Sequence, residues 1–277
     1  MTKFWKYQGT GNDFVVIDIR KSGSADPEFA KRACDRHFGI GADGVLYITK
    51  ADDADIGMCV INPDGSEAEM CGNGIRCVAK HAYDTGIVKS ERFKIRTMRG
   101  VLSITVIPEN GKAKMIEVNM GAPILDRKKI PMTGEGSSVG FDITAGGMKL
   151  KGNGVSMGNP HLVIFSELSE EEKERLGPIL ESIPLFPKKA NVGFASVREG
   201  KIFLRVYERG AGWTLACGTG ACAATTAAAL NGLVPYDRAV DVKLPGGWLR
   251  ITVAKDLSRV TMAGPAELVF TGNIQRE

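Results

Sequence analysis

The sequence predicts an α/β (α+β) protein of two pseudo-symmetric lobes, each a curved mixed or antiparallel sheet wrapped around a central helix. Three observations lead there. First, the chain repeats itself: Cys71 and Cys217, 146 residues apart, each begin a Cys-Gly-x-Gly, and flanking segments match in the same order at offsets of 146 or 147. "GNDFVVI" (11–17) matches "GNPHLVI" (158–164), "IGMCVIN" (56–62) matches "IFLRVYE" (202–208) in apolar alternation, and "GVLSITV" (100–106) matches "GWLRITV" (247–253). Second, strand-like and helix-like segments follow one another alike in both copies. Third, "ACAATTAAALNGL" after Cys217 has no charged residue. A helix of small uncharged residues belongs inside, with sheet around it.

Each copy opens on a β segment, "FVVIDI" or "HLVIF", and continues into a helix. In the first copy that helix is "DPEFAKRACDRH"; in the second it is "SEEEKERLGPILES", where Ser169 and Glu172 form a capping-box pattern. One or two alternating strands come next, then the cysteine turn, a second helix, and a β-hairpin turning near "MRG" (98–100) or "PGG" (245–247). Asn231-Gly232 closes the uncharged helix as a C-cap. The last strand, "ELVFTGN", is expected to return to the first lobe. The expected boundaries are 1–120 plus 264–277 for the lobe carrying Cys71, and 121–263 for the lobe carrying Cys217.

Bulk properties narrow the function. Hydrophobic content of 43% and charged content of 25% suit a globular chain that buries a full core. The net charge of +4 is spread without a Lys/Arg run, which argues against nucleic acid as a partner. No apolar run approaches the roughly 20 residues of a spanning helix, so no membrane partner is expected. The opening "MTKFWKYQGTGNDF" has no apolar signal region, which predicts a cytoplasmic protein whose cysteines (34, 59, 71, 77, 217 and 222) are reduced thiols.

A cysteine at a helix start meets unpaired backbone N–H groups and the positive end of the helix dipole, which lower its pKa. The adjoining glycines let the backbone approach a ligand and aim N–H groups at an anion such as a carboxylate. One such turn could equally hold a structural cysteine. Two related by a repeat suggest a carboxylate ligand with a thiol on either face of its α-carbon. One thiolate then takes the α-proton as base while the opposite thiol returns a proton as acid, inverting the centre; backbone donors stabilise the charge that develops. Zinc favours C-x₂-C or His-rich spacing, whereas Cys71/Cys77 and Cys217/Cys222 are C-x₅-C and C-x₄-C, and the chain has only three histidines, so no metal is expected. Neither a redox C-x-x-C nor a phosphate-loop pattern is present.

The segments "KYQGTGNDFVVID", "RHFGIGADG", "NPDGSEAEMCGNGIRC", "GNPHLV", "NVGF", "ERGAGWTLACGTGACA" and "GPAELVF" together closely resemble the diaminopimelate epimerase family, essentially end to end. Related racemases of proline and hydroxyproline share the two-lobe architecture and paired cysteines, but the asparagine-rich set fits the diaminopimelate branch better. The resemblance implies a diaminopimelate epimerase-like fold. It also implies a cofactor-independent epimerase converting LL-2,6-diaminopimelate to the meso form, for lysine and cell-wall precursor synthesis. By the same resemblance Cys71 and Cys217 are the acid/base pair, and Gly72-Asn73 and Gly218-Thr219 hold the reacting carboxylate. Asn12, Asn62, Asn159, Asn191, Glu208 and Arg209 complete the substrate-binding set; His161 lies beside the catalytic centre, and both His161 and Glu208 are counted among the catalytic groups. The partner is a small molecule; a homodimer is left open, with "ELVF" (through Phe270) as a candidate edge contact. Two positions depart from some members: Gly44 stands where some carry a substrate-contacting glutamine, and Thr219 where serine is frequent.

Each assignment has a plainer alternative. Asn62 opens "NPDG", which any turn could use; Asn191 could cap local structure; His161 could be a satisfied core histidine; Arg209 could be a solvated charge. A ligand with two amino-acid ends nevertheless needs this mixture, with oxygen acceptors for ammonium and guanidinium for carboxylate. Three other functions compete. A racemase or dehydratase of proline-like rings predicts a small apolar pocket in place of the Asn/Glu/Arg set. A non-catalytic amino-acid-binding module predicts dispensable cysteines. A pyridoxal phosphate enzyme requires a Schiff-base lysine, and no lysine sits in such a setting. Cys34, Cys59, Cys77 and Cys222 are read as small buried hydrophobes.

Overall fold

The computed structural model describes residues 1–21 and 23–275; positions 276 and 277 of the expected first lobe lie outside the described residues. The chain divides into two compact units, one holding Met1–Asn119 and the segment from Ala263 onward, the other Met120–Met262. The mixed α/β composition of few helices among many strands agrees with the fold class read from the sequence.

In chain order the first unit begins with β1 (Thr2–Gly9), β2 (Asn12–Asp18), α1 (Pro27–Cys34), β3 (Gly44–Thr49), β4 (Ile56–Ile61) and β5 (Glu67–Ala68). It continues through α2 (Gly72–Asp84), β6 (Arg92–Thr97), β7 (Gly100–Glu109) and β8 (Lys112–Asn119). The second unit holds β9 (Val139–Ala145), β10 (Met148–Ser156), β11 (Pro160–Phe165), α3 (Glu170–Glu181), β12 (Asn191–Arg198), β13 (Lys201–Glu208) and β14 (Gly212–Thr214). There follow α4 (Gly218–Leu230), β15 (Val240–Leu244), β16 (Gly247–Val253) and β17 (Val260–Gly264), and the chain ends with β18 (Glu267–Ile274), which pairs antiparallel with β1.

The same path is traced twice. β2 pairs parallel with β3, β3 antiparallel with β4, β4 parallel with β6, and β6 antiparallel with β7. In the second unit β11, β12, β13, β15 and β16 pair in the same sequence of directions. Parallel neighbours require a crossover, and α1 and α3 supply it. Because β2 is covered on both faces, Phe14 to Ile17 are all buried, which is why "FVVI" reads as a continuous apolar run rather than an alternating one. Val15 and Ile17, with Val45 and Tyr47 of β3, pack in one cluster with Phe29 and Ala33 of α1; Leu162, Ile164, Val192 and Phe194 do so with Leu176 and Leu180 of α3.

The other face of each sheet holds the central helix. α2 packs against β1, β2, β3, β4, β7 and β8, and α4 against β10, β11, β12, β13, β15 and β16. In α4 every residue from Gly218 to Ala229 except Thr219 is buried. Its two interior threonines remain satisfied because Thr225 and Thr226 donate to the carbonyls of Ala221 and Cys222 at 2.9 and 2.8 Å. Asn231 caps the C-terminus and Gly232 follows at φ 70°, as its sequence indicated. Ser169 and Glu172 close the capping box of α3.

The first crossover helix is shorter than "DPEFAKRACDRH" suggested. Asp26 caps it by accepting from Phe29 N–H, but it ends at Cys34, because the Asp35 carboxylate accepts from the N–H groups of His37 and Phe38 and turns the chain. Among the described residues no helix is long and apolar enough to cross a membrane.

Candidate active site

Each unit places one cysteine at the N-cap of its central helix. In the first, Thr10-Gly11 forms a two-residue hairpin turn with both φ values positive, 53° and 86°, and the turn delivers Asn12 to the start of β2. Cys71 caps α2 in extended conformation (φ −128°), and its Sγ accepts from Gly74 N–H at 3.4 Å. The Asn12 Oδ1 lies 3.8 Å from Cys71 Sγ and accepts from Asn73 Nδ2 at 3.2 Å. Asn73 is buried in the first helical turn beside Gly72. Asn62 lies just past β4, where its Nδ2 donates to Ser66 Oγ at 3.0 Å and its carbonyl accepts from Gly65 N–H, bonds that belong to the "NPDGS" turn.

In the second unit Cys217 caps α4 (φ −126°) and is 4% exposed. Its Sγ is 3.6 Å from Thr219 Oγ1, which accepts from Asn159 Nδ2 at 3.3 Å. The Oδ1 of Asn159 is 3.1 Å from His161 Nε2. With Nδ2 committed to Thr219, that oxygen accepts, so His161 donates through Nε2. Burial, with Arg209 adding to it, pushes His161 down to about 3, and the ring is therefore neutral. Glu208 ends β13 with Oε1 accepting from Thr214 Oγ1 at 2.6 Å.

The electrostatics of Cys217 correct the simple helix-start expectation. Burial first, and the Glu208 carboxylate next, raise its thiol well above the ordinary value, although Thr219 and the Gly220 N–H favour the thiolate. Burial likewise raises Glu208, against the pull of Thr214 and Cys217. Two remaining residues of the expected set are tied to local backbone. Asn191 donates to Pro160 O and accepts from Arg209 N–H, each at 3.0 Å, while exposed Arg209 donates to Lys188 O at 3.1 Å.

Thus Asn12, Cys71, Gly72 and Asn73 come together in the first unit, and Asn159, His161, Glu208, Cys217, Gly218 and Thr219 in the second. Gly44 occupies the register position opposite Phe14 that Asn191 occupies opposite His161. A Cβ at Gly44 would lie 3.1 Å from Ile61 O. Sequence reasoning missed Asp43, Arg76 and Thr214, each bonded directly to an expected site residue. Of the other cysteines, Cys34 is raised by burial to about 11 and Cys59 and Cys77 to about 12, which keeps these three as inert thiols. Among the described residues no three His, Cys, Asp or Glu side chains are grouped to hold a metal ion.

A duplicated α/β unit with a helix at the centre of each copy is a fold that recurs in solved structures of differing activity. The chain superposes on a probable proline racemase from Agrobacterium radiobacter K84 with a TM-score of 0.73 at 13% identity, covering 99% of this chain and 93% of that one. It matches a PhzF-family phenazine biosynthesis protein from Bacillus anthracis equally well, TM-score 0.73 at 17% identity over 99% of each chain. Likeness at such low identity concerns the fold alone. Sequence goes further: the diaminopimelate epimerase family model matches residues 4–125 and 154–269, and the chain belongs to that family. It is 46% identical over 275 residues to the diaminopimelate epimerase of Pelotomaculum thermopropionicum, covering 97% of both chains.

Proposed function

We propose that this chain is an isomerase, a cofactor-independent epimerase that interconverts LL- and meso-2,6-diaminopimelate by proton transfer between two thiols. The observation that carries this reading is family membership across both halves, with each Cys-Gly-x-Gly at a helix N-cap. In one direction one cysteine, as thiolate, removes the α-proton and the other, as thiol, returns a proton to the opposite face; in reverse the roles exchange. The N–H groups of the Gly72-Asn73 and Gly218-Thr219 turns stabilise charge on the reacting carboxylate. Asn12, Asn62, Asn159, Asn191, Glu208 and Arg209 bind the two amino-acid ends. His161, being neutral, acts by fixing the Asn159 amide and not as an acid.

We also propose a cytoplasmic location, which suits a mechanism requiring reduced thiols, with neither nucleic acid nor membrane as partner, and a homodimer joined through β18. The proton NMR spectrum in D₂O with reduced enzyme tests the function. Loss of the α-proton signal with formation of the meso isomer is expected for LL-diaminopimelate and not for L-proline or 4-hydroxyproline. Exchange of the ring amino acids alone would move the chain to the proline racemase activity, and no exchange with any of them would reduce the cysteine turns to a binding device.

A further inference from the structure

Two side-chain amides stand between a cation and an anion in the first unit. At one end Arg76, fully buried, donates from Nη1 to Asn73 Oδ1 at 3.1 Å. Asn73 Nδ2 donates to Asn12 Oδ1 at 3.2 Å, and Asn12 Nδ2 donates to Asp43 Oδ2 at 2.6 Å. A guanidinium only donates and an ionised carboxylate only accepts. The two ends therefore dictate which way both amides face, and reversing either would set donor against donor or acceptor against acceptor. The consequence falls on Cys71, whose Sγ lies 3.8 Å from the Asn12 oxygen and not from its nitrogen.

Both ends are anchored. Arg76 also donates to Gly72 O at 3.0 Å, to Thr10 Oγ1 at 3.1 Å and to Pro265 O at 3.1 Å. A Cβ at Gly9 would lie 3.2 Å from both Arg76 Nη2 and Asn73 O, so glycine there lets β1 pass close to this helix end. Asp43 Oδ2 accepts additionally from Asp13 N–H at 3.1 Å, and its Oδ1 from Arg36 at 2.8 Å. Arg36 in turn grips Asp13 through both oxygens, and buried Lys6 pairs with Asp13. The charged and titratable groups at this end of the unit, among the described residues, are thus Lys6 on β1, Asp13 on β2, Cys34 at the end of α1, Arg36 and Asp43 ahead of β3, and Arg76 and Cys77 on α2.

We propose that Asp43 and Arg76 are positioning residues that lock the Asn12 carbonyl oxygen toward Cys71 and so hold that cysteine as a hydrogen-bond-donating thiol. The Gly74 N–H favours the thiolate from the other side, and the locked oxygen opposes it. The device is peculiar to the first unit: in the second the corresponding amide, Asn159, faces Thr219 and His161, and the Cys217 sulfur lies 3.6 Å from the Thr219 hydroxyl. The inference rests on Cys71 and Asn12 belonging to the active site, but its test needs no substrate.

The rate of iodoacetamide alkylation at Cys71 is followed by peptide mass spectrometry against pH in the full chain. In Asp43→Asn the carboxylate that pins the Asn12 NH₂ is gone and the residue at 43 can donate as well as accept, so the Asn12 oxygen is held toward the sulfur only through Asn73 and Arg76 and its bond to the thiol weakens. The profile is expected to move to lower pH, with alkylation at neutral pH about three- to tenfold faster, the size of one modest hydrogen bond. Asp43→Glu, which still only accepts, should restore the wild-type profile. Asn12→Ala should shift the profile in the same direction, and the double variant with Asp43→Asn should add nothing further. An unchanged or upward-shifted profile in folded Asp43→Asn overturns the proposal; should that variant not fold, the same result in Asn12→Ala does so. Failure of diaminopimelate exchange in the NMR experiment would leave this readout untouched.

Discussion

His161 shows how one buried ring ties the site to the stability of the fold. At 1% exposure it cannot take up a proton cheaply, and burial, aided by Arg209, lowers it from the ordinary 6.5 to about 3. His81, also buried, falls to about 4 for the same first reason. Between pH 6.5 and these values the unfolded chain binds protons that the native chain does not, so stability falls as pH falls through that window. Asp13 acts in a lower one. Burial would raise it, but Arg36 and Lys6 prevail and hold it at about 2, so its contribution is complete above 3.8 and is lost only as pH drops towards 2. The urea midpoint is therefore expected to fall between pH 7 and pH 5, well before Asp13 is involved. His161→Gln should flatten that slope by up to one proton, about 1.4 kcal/mol per pH unit. An identical slope in wild type and variant would mean that His161 titrates as freely in the native state as in the unfolded chain.

Among the elements, the two helix starts and the last strand carry the functional argument. The second glycine of each cysteine turn keeps the helix tight against its own cysteine: a Cβ at Gly74 would lie 3.0 Å from Leu46 Cδ2, and one at Gly220 would lie 3.1 Å from both Cys217 Sγ and Val206 Cγ2. β18 poses a different problem. It pairs with β1, yet Leu268, Val269 and Phe270 are 47%, 57% and 46% exposed, an apolar run on a strand that a lone chain would normally protect. Phe270 meets Phe4 edge-on at 5.9 Å, so its ring is already held in place. Light scattering should give twice the chain mass of 29.7 kDa, and Phe270→Lys should halve it. A monomeric wild type would remove the dimer. These elements were legible in the sequence because each depends on local pattern: the cysteine turns, the capping box of Ser169, the uncharged run of α4. The end of α1 was not, since Asp35 stops it with a side chain that could as well have pointed to solvent. Nor were Asp43, Arg76 and Thr214. Asp43 lies 31 residues from Asn12, and Asn12 lies 61 from Asn73, and no spacing rule joins residues that only the folded chain brings together. The raised pKa of Cys217 was hidden for the same reason, because a helix start is visible in a sequence whereas its burial is not.

At the scale of the whole molecule, duplication has supplied the same part twice and divergence has furnished each copy differently. Cys71 faces an amide oxygen, and Cys217 faces a carboxylate and a hydroxyl. Inversion at one carbon demands that the groups serve opposite faces, because a proton removed from one side must be replaced from the other. Neither copy alone suffices for that. A chain keeping a single thiol still owns a base for one stereoisomer, whose α-hydrogen points toward it, but has no acid for the other face. The base can only return what it took, after exchange with solvent. Cys71→Ala and Cys217→Ala should therefore each abolish interconversion of the LL and meso forms. Each should also retain deuterium exchange with retention of configuration in just one isomer, a different isomer for each variant. NMR with a chiral separation of the product reads both results. Undiminished interconversion in either variant would sink the two-thiol mechanism. Exchange of the same isomer by both variants would mean that the two cysteines do not address opposite faces, and the duplicated fold would then have to be explained by binding alone.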